Sequence, residues 1–566
     1  MMRLKTMILF VLIASIFSFV IAQTPDTVMV DPGKGTLNEA INNPENQGKV
    51  FKLESGPDAI YITTDILNNV GWHMHIVGEE SEEIPPRIVR DADNNKRRIF
   101  TAEGDITLEN LFIIYRTLNG EKSRKSVIEV AEDSVNVTIK KVIQADGRGV
   151  FIEIENADMV NLEVTDCMMF NSYHPTKIGS GGWFVWIQGE FTGSYYIANN
   201  TVFNVTGPVI LNHWSSPDLV KNLVVEHNTF YLVPRAVFEK MYAVQDYIIK
   251  NNLIVDGYCR GYVDEGRYQG IDYVGDFVEP FDPEVTGNEM GAFFPVDTLA
   301  TEWGIAEDTR EIKIHHNLRY ETEMIRNWWD QVDAVKHPWL TTTGEEMFNN
   351  YEKFVFTKNI NVNPEFTQPL PEEMTQKMID WYDAIRKGLE TPDRTWDPDG
   401  DGDPFTFPWP LPLDLSYDHA KTLDSEGYHL AGDDGYPLGD LNWFPEMKKE
   451  WQAGNDGPLV PLMTSVENNN TRIVNNFTLN QNYPNPFNPA TTIEYNLRKS
   501  DHVILSVVNM LGQNIKTLVN THVNAGNHSV TWNGTDAQGQ KVGSGIYYAR
   551  IQSGDETRTI KMALIR

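Results

Sequence analysis

Leu223-Val224-Val225-Glu226-His227 is preceded by Tyr195-Tyr196-Ile197-Ala198-Asn199 and followed by Tyr247-Ile248-Ile249-Lys250-Asn251. Each is a short run in which apolar and polar residues alternate, the period of a strand with one buried side. The series extends back through Leu162-Glu163-Val164-Thr165-Asp166, Val137-Thr138-Ile139-Lys140-Lys141 and Ile106-Thr107-Leu108-Glu109-Asn110. Aligned on Leu108, Ile139, Val164, Ile197, Val225 and Ile249, the steps are 31, 25, 33, 28 and 24 residues. A late member, Ile312-Lys313-Ile314-His315-His316, comes after a step of 65, which requires an insertion.

A second series falls between these strands. It comprises Ser126–Val130, Val150–Ile154, Phe184–Ile187, Val209–Asn212, Ala236–Glu239 and Gly261–Asp264. Two interleaved series with one period imply two strands per repeat. Most of the gaps hold no helical segment, which argues against a doubly wound α/β sheet. Coils of this length stacked on one another bury a core that no single coil could bury. The expected fold class is all-β: a right-handed parallel β-helix followed by a small C-terminal β-sandwich. An antiparallel sandwich for the body is the alternative on pattern alone.

The chain has 566 residues, 41% of them hydrophobic, and a formal net charge of −32. That composition supports a sizeable core in several domains. The acidity argues against nucleic-acid binding, because phosphates are repelled at long range. Two cysteines, Cys167 and Cys259, make neither a disulfide framework nor a Cys-rich zinc site. Residues 1–22, with Arg3 and Lys5 ahead of a largely apolar run, read as a signal peptide. The run is short for a spanning helix, so no transmembrane segment is expected in the mature protein.

Residues 475–566 carry a net charge of +3 against −37 for residues 23–474. The tail opens on Asn482-Tyr483-Pro484-Asn485-Pro486-Phe487-Asn488-Pro489 and continues as short alternating runs separated by Gly-containing turns. That pattern suits a small sandwich. The opening block, Asn509-Met510-Leu511-Gly512-Gln513, Ala525-Gly526, Trp532-Asn533-Gly534, Ser544-Gly545-Ile546-Tyr547 and the ending Lys561-Met562-Ala563-Leu564-Ile565-Arg566 resemble the type A C-terminal sorting domain of the bacterial type IX secretion system. The resemblance implies the type IX machinery as a partner and a secreted or outer-cell-surface location. An ordinary carbohydrate-binding sandwich is the alternative.

The entry segment Val28-Met29-Val30-Asp31-Pro32-Gly33-Lys34-Gly35-Thr36-Leu37, with Val50–Leu53, Ile60–Ile62 and His75–Gly78, resembles the capped start of pectin-lyase-like β-helices. A short amphipathic helix over Leu37–Ile41 would close the open end of the core. On these grounds the chain divides into a signal peptide 1–22, a β-helix 23–320, a Trp/Pro-rich extension 321–453 packed on it, a linker 454–474 and the sorting sandwich 475–566. Nine of the 14 Trp lie between Trp303 and Trp451. Within the extension Pro371–Leu389 reads as a helix with Met374, Met378, Trp381, Ile385 and Leu389 along one face.

Asp397, Asp399, Asp401 and Asp403 alternate on a Gly-containing bend and form the metal candidate. Such carboxylates can converge on calcium, a hard cation that takes six to eight oxygens. The stretch resembles the first half of an EF-hand loop but has Pro408 at the twelfth position, so the bidentate Glu is missing. A solvated acidic turn is the alternative.

β-Helix polysaccharide lyases neutralise a uronate with calcium or a cation and abstract a proton with Arg or Lys. By strand register, Lys240, Arg235 and His213 are the candidates here for catalysis, with Trp186, Trp214 and Glu239 for substrate binding. Outward polar residues on a solvated sheet would look the same. No dense Arg-Pro-Arg signature of pectate lyases and no clear Asp pair of polygalacturonases is present. The histidines show no metal-ligand spacing and read as surface or turn residues. Three classes stay open: a secreted protein that binds polysaccharide, a polysaccharide lyase or hydrolase, and a non-catalytic structural spacer.

Overall fold

The computed structural model describes residues 26–459 and 477–564 apart from breaks, the longest at 258–308, 419–430, 213–218 and 333–338. The chain divides into two compact units, residues 1–462 and 463–566.

The first unit is a parallel β-helix. The register places Ile76, Leu108, Ile139, Val164, Ile197, Val225, Ile249, Ile314 and Phe356 opposite one another in successive coils. The rungs aligned from the sequence, from Leu108 to Ile314, are therefore the rungs of the structure. The ladder runs on through Phe354–Thr357. Among the described residues the second series forms a separate parallel sheet of seven strands, including Ser126–Val130, Val150–Glu155, Trp183–Gln188, Ile210–Asn212 and Phe238–Glu239. Gly261–Asp264, expected as its next member, lies outside the described residues.

The repeat has three strands, not two. Directly after each first-series strand a third strand follows, as in Met168–Ser172, Thr201–Val205, Thr229–Val233 and Leu253–Gly257. Single residues in the left-handed region turn the corner: Asp166, Asn199, His227, Asn251 and His316, with φ between 53° and 61°. One residue suffices to change face, so in the sequence the two strands run together. Asn and His tolerate this region better than most residues.

The residue after each corner builds an internal ladder. Asn200, Asn228, Asn252, Asn317 and Asn359 stack, each Oδ1 accepting from the backbone N–H and the Nδ2 of the preceding rung. Asn200 Oδ1 takes the Cys167 N–H in the same way. Amide side chains thus satisfy the polar backbone exposed where each coil bends.

The helix Thr36–Asn42 buries Leu37 and Ile41 over the first coils, the expected cap. The third face is apolar outside as well as inside, because the extension covers it. Phe170, Phe203, Tyr231, Val255 and Leu318 pack with Trp328, Trp329, Met378, Trp381, Trp396 and Phe407 in a second core. Phe170 and Phe203 stack at 5.0 Å, and Trp396 meets both edge-on at 5.4 and 5.3 Å. The expected helix spans Glu372–Arg386 and buries Met374, Met378 and Trp381. Leu389 falls beyond its end and is exposed. The Trp enrichment thus serves packing at these four positions, whereas Trp409 is exposed.

The second unit pairs a three-stranded and a four-stranded antiparallel sheet around Ile493, Tyr495, Val503, Leu505, Trp532, Ala549 and Ile551. This is the small β-sandwich read from the tail.

Candidate functional site

The seven-stranded sheet carries the row in which substrate contacts were expected. Thr101, Glu129, Glu153, Trp186, Leu211 and Glu239 are opposite one another in successive strands. Trp186 and Glu239 therefore share a row, but Leu211 stands between them rather than Asn212, which pairs with Ile187. Trp186 is half-buried, its ring 4.6 Å from that of Trp183 at 70°, over buried Val150 and Leu211. Arg235 is itself buried, at 5% exposure. His213, Trp214 and Lys240 lie outside the described residues. Lower in the row Arg98 pairs with Glu129 and, at 3.1 Å, with Glu155. Burial and the Glu155 carboxyl push Glu129 up to about 7 despite Arg98.

Among the described residues, cavities lie in a different place. A cleft of about 380 Å³ is lined by Glu121, Lys122, Arg148, Tyr173, Pro175 and Asp393 among others. A second cavity of about 220 Å³ shares Lys122 and Asp393 with it and reaches Arg116, Asp146 and Asp397. Three coils supply one wall. Arg116 and Lys122 bracket a turn after Ile106–Thr117. Asp146 and Arg148 follow Asn136–Ala145, and Tyr173 and His174 follow Met168–Ser172.

The extension supplies the other wall, fixed by hydrogen bonds to Asn171 and Asn204, left-handed residues within the third strands. Asn171 donates to the Trp396 carbonyl at 2.8 Å and accepts from its N–H at 2.8 Å. Asn204 donates to the Arg394 carbonyl at 2.8 Å. The buried Arg394 guanidinium lies between the rings of Tyr173 (4.6 Å) and Trp381 (4.4 Å) and donates to the Val205 carbonyl at 3.0 Å. Trp381 Nε1 donates to the Pro175 carbonyl at 2.7 Å.

Several charges in the cleft are engaged by neighbours. Asp146 holds Lys122 at 2.8 Å and Arg116 at 3.1 Å. Arg148 meets the His174 ring, and the Tyr173 hydroxyl donates to Asp393. Burial opposes the charge on Lys122, but Asp146, Tyr173 and Asp393 outweigh it and hold its pKa above the ordinary value. Burial raises the Tyr173 pKa, with Lys122 opposing. Both groups therefore keep their protons at neutral pH. Lys122 and Tyr173 are thus donors that can hold a polar ligand by hydrogen bonds, while Asp393 beside them stays ionised, the Tyr173 and Thr395 hydroxyls and Lys122 outweighing its burial.

At the rim, carboxylate oxygens of Asp397, Asp399 and Asp401 lie within 4.8 Å of one another. Asp403, the fourth residue of the expected set, turns to Arg116 at 2.9 Å. Gly400 and Gly402, with φ of 82° and 75°, provide the bend, and their N–H groups donate to Asp397. Calcium–oxygen distances of about 2.3–2.6 Å set a limit near 4.8 Å between oxygens sharing one ion, which this group meets.

Lys122, Arg148, Tyr173 and Asp393 were not legible as a site. No motif marks them, and Tyr173 and Asp393 are 220 residues apart. Among the described residues no helix is long and apolar enough to cross a membrane.

Residues 488–556 match the family of the FlgD Ig-like domain. No curated protein matches the chain. Two solved structures from Porphyromonas gingivalis are similar over a short stretch. One is PorZ, described as an essential bacterial surface component of the type-IX secretion system: 22% identity over 16% of this chain and 12% of that one, TM-score 0.13. The other is dimeric latent PorU: 16% identity over 16% of this chain and 9% of that one, TM-score 0.14. The chain thus spans about an eighth or less of the length of either.

Proposed function

We propose that this chain is a type IX cargo, secreted or held at the outer surface, whose β-helix binds polysaccharide in the cleft between Lys122 and Asp393. The sorting-domain motifs in the tail and its Ig-like fold support the export half of the reading. The binding half rests on the cleft: cationic Lys122 and Arg148, the Tyr173 hydroxyl and Asp393 converge on a cavity of small-molecule size in an otherwise acidic body. The test is calorimetry of the purified protein against a panel of plant and algal polysaccharides, with ultraviolet absorbance followed for unsaturated product. Arg148→Ala should weaken binding roughly tenfold or more, the worth of a charge-assisted hydrogen bond. Loss of binding in Trp186→Ala instead moves the site to the seven-stranded sheet. Product formation converts the reading to a lyase, and binding by no glycan leaves the spacer.

The same reading gives the Asp397–Asp401 loop a calcium ion that stiffens the rim. Calcium at a hundredfold excess over its Kd should stabilise the body by about 2.7 kcal/mol. A chelator should then lower the Tm by several degrees, and Asp399→Asn with Asp401→Asn should do the same without adding to the chelator's effect. A melting curve indifferent to chelator reduces the loop to an acidic turn.

A further inference from the structure

The loop from Ala431 to Pro437 docks on the row of left-handed corners through an ion pair with a buried histidine. His227 is fully buried. Its Nδ1 is 3.1 Å from the Pro437 carbonyl oxygen and its Nε2 is 2.8 Å from Asp434 Oδ2. The Pro437 carbonyl can only accept and Asp434 accepts as a carboxylate, so the imidazolium, with a proton on each ring nitrogen, satisfies both contacts, while Asn251 Nδ2, 3.2 Å from Nε2, gives a hydrogen to Asp433.

Glu226 precedes His227 on its own strand. Lys250, one coil on, bridges Glu226 and Asp433 at 3.2 Å each. Asn251 Nδ2 donates to Asp433 at 2.7 Å and lies 3.2 Å from His227 Nε2. Trp451 Nε1 donates to Asp434 at 3.1 Å, and its ring stands edge-on to the imidazole at 5.6 Å. His315 and His316, on the next coil, are held down to about 4, chiefly by burial, and are neutral at neutral pH. Burial disfavours charge on His227, but Asp434 outweighs it and the pKa stands above 6.5. Burial alone would raise Asp434, and His227 pulls it below the ordinary carboxylate value.

The same loop holds the chain beyond the helix Pro445–Gln452. The N–H groups of Gly457 and Leu459 donate to the carbonyls of Asp434 and Gly435, both at 3.0 Å. The Tyr436 hydroxyl donates to the Asn455 carbonyl at 3.0 Å.

We propose that the His227–Asp434 pair is a pH-operated clasp that fastens residues 455–459 to the β-helix at neutral pH and lets them go as the medium turns alkaline. The stabilisation from a raised histidine pKa is fully present below the unfolded value of about 6.5 and is lost as pH climbs through the folded value. Asp434, with its depressed pKa, keeps its charge until the pH falls below the ordinary carboxylate range. The clasp is therefore closed over a plateau bounded by Asp434 on the acid side and His227 on the alkaline side.

The test is hydrogen exchange of the full chain, corrected for intrinsic rates, between about pH 6 and 10, with limited proteolysis at the same pH values. Protection of peptides covering 431–437 and 455–459 should fall on the alkaline side, by roughly tenfold for each unit by which the pair lifts the His227 pKa. Peptides covering the Asn200–Asn252 ladder should not change. Cleavage near 455–459 should accelerate in step. Asp434→Asn, at a partly exposed position, should move the alkaline limb to lower pH, and His227→Gln should abolish it. Flat protection across the range, or an alkaline limb unmoved by Asp434→Asn, overturns the proposal. Because Asp434→Asn alone is decisive, the result does not depend on whether His227→Gln folds.

Discussion

Asn228→Ala should destabilise the β-helix by about 3–5 kcal/mol in chemical denaturation. Asn228 Oδ1 is the acceptor for the Asn200 backbone N–H at 3.0 Å and for Asn200 Nδ2 at 2.8 Å. Its own Nδ2 donates to the carbonyls of Ile197 and Glu226 and to Asn252. All of this lies in the core, with Asn200, Asn228 and Asn252 at 0% exposure. Truncation leaves the Asn200 N–H without a partner where water does not reach. An orphaned buried group costs about 1–3 kcal/mol, and the lost bonds and the cavity add to it. The comparison that isolates the mechanism is Asn359→Ala. Asn359 plays the same part for Asn317, but at the half-exposed end of the ladder, where water can replace it. It should cost no more than about 1.5 kcal/mol, the net worth of an ordinary hydrogen bond. Equal losses at the two positions would mean that the ladder stabilises by something other than buried satisfaction.

Deleting residues 475–566 should leave the body folded and keep it in the periplasm. The two units have separate cores, one around the inward rungs and one around Leu505, Trp532 and Ile551. The body therefore loses none of its own core with the tail, and its melting transition should be unchanged. Secretion should fall from nearly complete to background if the tail is the export signal. Fractionation with an antibody to the body measures it. Normal yield of the truncated body outside the cell sinks the type IX assignment while leaving the fold untouched.

The rungs from Leu108 to Ile314 were legible because alternation is a local property: an inward residue must be apolar whatever its neighbours in other coils are. The end cap was legible for the same reason, since Leu37 and Ile41 lie one helical turn apart. The third face was not. Met168–Ser172 and its counterparts follow the first strands after a single left-handed Asp, Asn or His, a break too short to stand out as a turn. Its outward side is as apolar as its inward side, so the alternation that marked the other two series is missing from it. Among the histidines, His227 and His316 do occupy turns, as expected, but the turn of His227 is fully buried under the loop that carries Asp434.

By itself the sequence determined a stacked parallel β-helix with a cap and a separate antiparallel tail, because strand period, repeat spacing and turn chemistry act over a few residues. Only the tertiary structure decided which side chains meet. Tyr173 reaches Asp393, Asn171 reaches Trp396 and His227 reaches Asp434 across separations of 220, 225 and 207 residues. The extension that brings these partners back carries no periodic pattern tying it to particular coils. Its path is set by where an apolar face was left to cover and where corner amides were left to bond, and both exist only once the coils have stacked.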